Sequence, residues 1–253
     1  MVTRLLLEYD GTDFAGWARQ PGRRTVQGEV ERALRTLLPR APRPPELTVA
    51  GRTDAGVHAW GQVASYAGPP VEVRALNALT PPDVAILDVT RAPDGFNARF
   101  DARSRTYCFR VLARRAPSAF ERGRALHWPR PLDRALLHAC AAALRGEHDF
   151  TAFTPTETAH VRFERVILDA RWEERGELLE FWITADAFMR HMNRVLMGTM
   201  LQVASGGRTL ADFARLLDGA PRAAAGPTAP PHGLYFARVN YADGADGVDA
   251  PDV

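Results

Sequence analysis

Leu47-Thr48-Val49-Ala50-Gly51-Arg52-Thr53-Asp54-Ala55-Gly56-Val57-His58-Ala59-Trp60-Gly61-Gln62-Val63-Ala64-Ser65-Tyr66 is the stretch from which the architecture unfolds. It reads as two short strands, Leu47–Ala50 and Gly61–Tyr66, joined by a loop whose glycines flank Asp54. Upstream, Val26, Val30, Ala33, Leu34 and Leu37 recur at helical spacing until Pro39 stops the run. Before that helix, Thr3–Tyr9 is an apolar strand closed by the Asp10-Gly11 turn. Downstream, a brief helix near Val73–Leu79 ends at Pro81-Pro82, and Val84–Thr90 is a further strand. The order is β-α-β-β-α-β.

The remainder repeats that order as a pattern, without detectable identity between the halves. Arg105, Tyr107, Phe109 and Val111 share one face of a strand expected over Ser104–Leu112. A helix from Leu132 carries Leu136, Cys140, Ala143 and Leu144 on one stripe and stops at Gly146. Val166–Glu173 and Leu178–Thr184 form a hairpin across Arg175-Gly176. Met189, Met192, Leu196, Thr199 and Val203 mark a helix ended by Gly206-Gly207, Thr209–Asp212 opens another with a capping box, and Leu234–Tyr241 closes the series. The expected fold class is α+β: two ferredoxin-like, RRM-like halves with mixed, mainly antiparallel sheets. Their expected bounds are 1–103 and 104–241, with 242–253 an acidic disordered tail.

With 253 residues and 46% apolar content the chain has material for one or two cored domains. All 32 basic residues are Arg, and without Lys neither Schiff-base chemistry nor a Walker A loop is possible. Cys108 and Cys140 have no C-x-x-C partner and read as buried thiols of a reducing compartment. The N-terminus breaks its apolar run with charge, unlike a signal peptide, and no stretch is long enough to span a bilayer. A soluble, cytoplasmic protein is expected. Net charge is only +2, but residues 91–130 hold ten Arg against three acids, the footprint of a polyanion site.

Three segments could carry chemistry. In Gly51–Ala59 the glycines permit a sharp turn that projects Asp54 from the sheet, and Arg52 could keep its carboxylate ionised and nucleophilic. The plainer alternative is an Asx turn in which Asp54 bonds its own backbone. In Phe96–Tyr107, Arg99, Arg103 and Arg105 interleave with Phe96, Phe100 and Tyr107, a composition suited to phosphate contact and base stacking or simply to a solvated connection with core aromatics. In Phe188–Val195, Arg190 and Arg194 share a helix face, and either finds an anion if buried or snorkels to solvent. His58 and His191 lack ligand spacing, and no metal motif occurs.

Together these segments resemble the bacterial tRNA pseudouridine synthase A family, along most of the chain. The likeness runs through Tyr9-Asp10-Gly11, Gly16-Trp17, Val26-Gln27, the Gly51–Ala59 loop, Phe96–Phe100, Arg105-Thr106-Tyr107 and Gly146–Phe150. It continues in Phe188, His191-Met192, Arg194, Gly198, Ala229-Pro230 and Gly233-Leu234-Tyr235. The resemblance implies isomerisation of uridine to pseudouridine at positions 38, 39 and 40 of the tRNA anticodon arm. It implies a homodimer without metal or organic cofactor, each subunit having a cleft between two sheet-bearing halves. It makes Asp54 the nucleophile, paired with Arg194, and places Tyr107 against the base. Arg52 then places a phosphate or helps flip the base, and Arg99, Arg103, Arg105 and His58 are further RNA contacts. The family helix commonly reads His-Met-Val-Arg-Asn; here Asn193 and Val195 stand where the Val and the Asn would be. Two other readings compete: a non-catalytic RNA-binding protein of two RRM-like halves, and an Asp-nucleophile hydrolase. The hydrolase needs a second carboxylate, and no acid lies between Asp54 and Glu72.

Overall fold

The computed structural model describes residues 1–158 and 161–242. In chain order the strands and α-helices are β1 (Val2–Tyr9), α1 (Val26–Leu37), β2 (Thr48–Val49), β3 (His58–Ala67), α2 (Val73–Asn77), β4 (Val84–Ala92), β5 (Ser104–Leu112), β6 (Leu126–His127), α3 (Arg134–Ala143), β7 (Gly146–Asp149), β8 (Glu164–Arg175), β9 (Leu178–Ala185), α4 (Met192–Ala204), α5 (Leu210–Arg215) and β10 (Leu234–Asn240). The class is α+β. The chain divides into two compact units: Met1–Arg105 with Tyr235 onward, and Thr106–Leu234. This grouping takes the closing strand with the N-terminal unit, whereas the sequence pattern counts it with the second half. The expected tail beyond Ala242 lies outside the described residues.

In the first unit the strand order is β4-β1-β3-β10, with β2 also on β3. β1 runs antiparallel to β3 and β4, and β2 antiparallel to β3 through Thr48↔Ser65 and Val49↔Ala64. Because β2 is only two residues long, the start of β3 is open to β10, which pairs in parallel through Tyr235↔His58 and Phe236↔Ala59. α1 begins where the Thr25 side chain accepts from Gly28 N–H, and Val26, Val30, Ala33 and Leu34 form its buried stripe. Glu31 is buried on that stripe because its carboxylate accepts from Leu47 N–H at 3.0 Å and from Gln27 at 2.7 Å.

In the second unit the order is β5-β9-β8-β7, with β6 parallel to β5. The β8–β9 hairpin turns through Gly176-Glu177, where Gly176 has φ 63°, a conformation that suits glycine. α3 packs on α4 and β8. Its buried stripe is Leu137, Cys140, Ala141 and Leu144: Cys140 and Leu144 are buried as expected, while Leu137 and Ala141 take the places of the expected Leu136 and Ala143, and the helix starts from the Asp133 cap. α4 begins at Met192; Met189 is buried but precedes the helix. α4 is buried on almost every side, as a helix of this apolarity must be. Gly198 is required there, since a Cβ would lie 1.9 Å from the Pro227 carbonyl oxygen. The capping box at Thr209 forms as expected, and both cysteines are buried and free.

Candidate active site

The Asp54 loop is held on three sides by backbone. Trp17 N–H donates to Thr53 O at 3.0 Å, and a Cβ on Gly16 (φ 101°) would lie 2.9 Å from the same oxygen. A Cβ on Gly11 would lie 2.0 Å from Val57 O. Gly11 and Gly16 therefore let two backbone segments close on the loop as no side chain would allow. Gly51 O accepts from Gln62 at 2.8 Å, and the turn closes backbone to backbone, Val57 N–H to Asp54 O at 3.2 Å.

Beneath the loop, Tyr9 and Thr53 share a 2.7 Å hydroxyl hydrogen bond, and Gln62 reaches the same phenol at 3.3 Å. Burial pushes the Tyr9 hydroxyl up to about 12, so it remains a neutral brace. His58 is buried; its Nδ1 accepts from Gly11 N–H at 3.0 Å and lies 3.1 Å from Asp10, while its ring stacks on Tyr235. Those contacts place His58 under the loop as a brace.

The arginines of the connection divide by environment. Arg105 donates Nε to Ala50 O at 3.1 Å and its two other nitrogens to Ala102 O and Arg99 O at 3.1 and 2.5 Å. Its guanidinium thus ties the residue preceding Gly51 to the 99–102 bend. Arg52, Arg99 and Arg103 are exposed, and Arg99 lies 5.5 Å from the ring of the exposed Phe100.

In the second unit, Tyr107 is 7% exposed on β5, with Phe188 edge-on at 4.9 Å. Phe188 is carried by a bend in which Asp186 accepts from Val166 and Ala187 N–H groups at 3.1 and 2.7 Å. Arg194 lies in the first turn of α4, half-buried, with Nε donating to Ala229 O at 2.8 Å, while Arg190 is exposed. Of the two readings for this arginine pair, Arg190 takes the solvent and Arg194 the protein. His191, the only non-glycine residue with positive φ among the described residues, launches the helix at φ 62°. Asn193 is 6% exposed and its Oδ1 is buried without a partner among the described residues. Sequence reasoning did not find the ion cluster of buried Arg110, which reaches Glu121 at 3.0 Å and Glu180 at 3.3 Å. Its signal was present, an Arg inside an apolar strand that must meet a carboxylate if buried.

The family model for tRNA pseudouridine synthase matches residues 140–242. The tRNA pseudouridine synthase A of Geobacillus sp. is 38% identical over 93% of this chain and 96% of its own. That of Rhizobium meliloti is 40% identical over 94% and 98%, and that of Cereibacter sphaeroides 41% over 94% and 96%. The chain belongs to the tRNA pseudouridine synthase A family. A chain of a Cbf5-Nop10-Gar1 complex superposes with a TM-score of 0.35 at 12% identity, covering 78% of this chain and 53% of that one. Among the described residues no helix is long and apolar enough to cross a membrane.

Proposed function

We propose that the protein isomerises uridine to pseudouridine at positions 38, 39 and 40 in the anticodon arm of tRNA, with Asp54 as nucleophile. The observation that carries this reading is the loop itself: two glycine-bearing segments and a guanidinium brace spend their bonds on holding one carboxylate-bearing turn.

The reaction breaks the N1–C1′ bond and forms C5–C1′; C5 gives up its proton and N1 takes one up, so substrate and product are isomers. It is redox-neutral and needs no activated co-substrate, so no cofactor enters the proposal. Exposed Arg52, Arg99 and Arg103 hold phosphates of the stem-loop. The target nucleotide leaves the stack at a cost of a few kcal/mol. Asp54 initiates cleavage at the sugar, by attack on C1′ or by assisting loss of uracil through a glycal, with Arg194 as its cation. The anchoring of Nε on Ala229 supports that role, because it fixes the plane of the guanidinium and reduces the side-chain entropy lost on pairing. Tyr107 stacks on the base and offers its hydroxyl for the proton on the sugar or at C5. We propose Arg105 and His58 as positioning residues: Arg105 donates to the Ala50, Ala102 and Arg99 carbonyls, and His58 accepts from Gly11 N–H and lies beside Asp10. The working form proposed is a cytoplasmic homodimer.

The test is release of tritium from C5-labelled uracil in unmodified tRNA, compared between the wild-type protein and Asp54→Asn. Release by the wild type alone, with tRNA binding retained in the variant, is expected. Binding without release by the wild type would overturn the reading in favour of a non-catalytic RNA-binding protein.

A further inference from the structure

The segment 113–130 joins β5 to α3 and contains five Arg against one acid, Glu121. It is braced throughout. Arg114 donates to Ala116 O at 2.9 Å, to Pro117 O at 3.1 Å and to Glu177 at 2.6 Å, and Arg114 O meets His127 Nε2 at 3.0 Å. The Ser118 hydroxyl accepts from Phe120 and Glu121 N–H, both at 3.2 Å. Glu121 is held by the buried Arg110, and its carbonyl accepts from Arg124 and Ala125 N–H at 2.9 and 3.1 Å. Between these two braces stands Phe120, 88% exposed, with exposed Arg115 and Arg122 near it in the chain.

A mobile loop would be free to fold such a ring away; this backbone is bonded on both sides of it and keeps it in water. We infer that Phe120 is a stacking platform for an unpaired base of the RNA, with Arg115 and Arg122 on the flanking phosphates, a contact separate from the reacting nucleotide. The occupant follows from charge. The one acid of the segment is already paired with Arg110, so a partner must bring anions and flat apolar faces together, as single-stranded nucleotides do. Self-contact through this loop would set five arginines against five. Separation follows from β5: Glu121, beside Phe120, is held by Arg110, which lies three residues or about 10 Å of strand from Tyr107, and the odd spacing sends the two side chains to opposite faces. A contact outside the reacting nucleotide contributes equally before and during the reaction, and thus acts on KM rather than kcat. The inference rests on the proposed RNA substrate.

The experiment measures tRNA binding by filter retention and tritium release for the wild type, Phe120→Ala, Phe120→Trp and Arg122→Ala. Phe120→Ala is expected to raise both Kd and KM by about tenfold, the value of one base stack, with kcat unchanged. Phe120→Trp restores both, and Arg122→Ala lowers the slope of log K against log salt by about one. Wild-type Kd and KM in Phe120→Ala would overturn the inference. So would a shift of Phe120→Ala from dimer to monomer in sedimentation, which would assign the ring to self-association. If the wild type binds tRNA but releases no tritium, the catalytic reading fails while the Kd comparison still tests the platform.

Discussion

Arg194 and Ala229 are joined twice: the side-chain Nε of Arg194 donates to Ala229 O at 2.8 Å, and Ala229 N–H donates to Arg194 O at 2.9 Å. The 226–229 segment is thereby laid along α4, and two glycines make the approach possible. A Cβ at Gly198 would strike Pro227 O, and one at Gly226 would come within 2.9 Å of Thr199 Cα. The arginine is thus placed by a backbone strap rather than by a carboxylate on its own helix.

Gly198→Ala must push the strap from the helix. Overpacking of this kind costs about 1–3 kcal/mol, which for a chain of this size lowers Tm by roughly 2–12 °C. We expect that loss in a thermal melt, together with a fall in kcat of more than about tenfold as Arg194 moves. An unchanged Tm would mean that the strap yields freely.

Arg105→Lys keeps the charge but cannot reach three carbonyls in a plane. We expect kcat to fall about 10- to 100-fold with circular dichroism unchanged, and tRNA affinity altered less than about threefold, because the guanidinium is occupied by Ala50, Ala102 and Arg99. A large loss of affinity at constant kcat would instead make Arg105 a direct phosphate contact.

Tyr9 links stability to alkaline pH. Its hydroxyl ionises near 10 in the unfolded chain and at about 12 when folded, so the folded state binds the extra proton between those values. The contribution is complete below pH 10, declines as pH rises, and is lost above about 12, a span of roughly 2–3 kcal/mol. Chemical unfolding of the wild type and Tyr9→Phe from pH 9 to 12 should show the wild type losing more stability over that range. Parallel curves would refute the assignment.

Asn193→Val removes a buried amide oxygen that has no partner among the described residues. Replacing it by an apolar group of similar shape is expected to be neutral or to stabilise by about 1 kcal/mol in denaturant unfolding. Activity should stay within about threefold, because Arg194 is anchored through Ala229. A loss beyond a hundredfold would show that the amide meets the substrate.

Element order was legible because it follows from local pattern: strand β5 has the expected bounds, α1 ends before Pro39, and the Thr209 capping box forms. The stripe of α3 was legible in part: Cys140 and Leu144 are buried as expected, but Leu136 and Leu137 are both apolar and only packing decides which turns inward. Asp54 stood out because flanking glycines announce a turn. What separated Arg105 from Arg99 and Arg103 was not legible: composition gives all three the same charge, and the distinction is which of them finds backbone carbonyls.

By itself, then, the sequence determined the α+β class, the position of the Asp54 loop and the arginine-rich band, because periodicity, glycine placement and charge are properties of the chain. The tertiary structure alone decided what those residues touch. It set Gly11 and Gly16 against residues more than thirty positions away, turned Arg105 and His58 inward as braces, and left Phe120 in water between two braces. Such outcomes depend on which unsatisfied backbone groups and which buried surfaces the folded chain brings together, and no local pattern encodes that pairing.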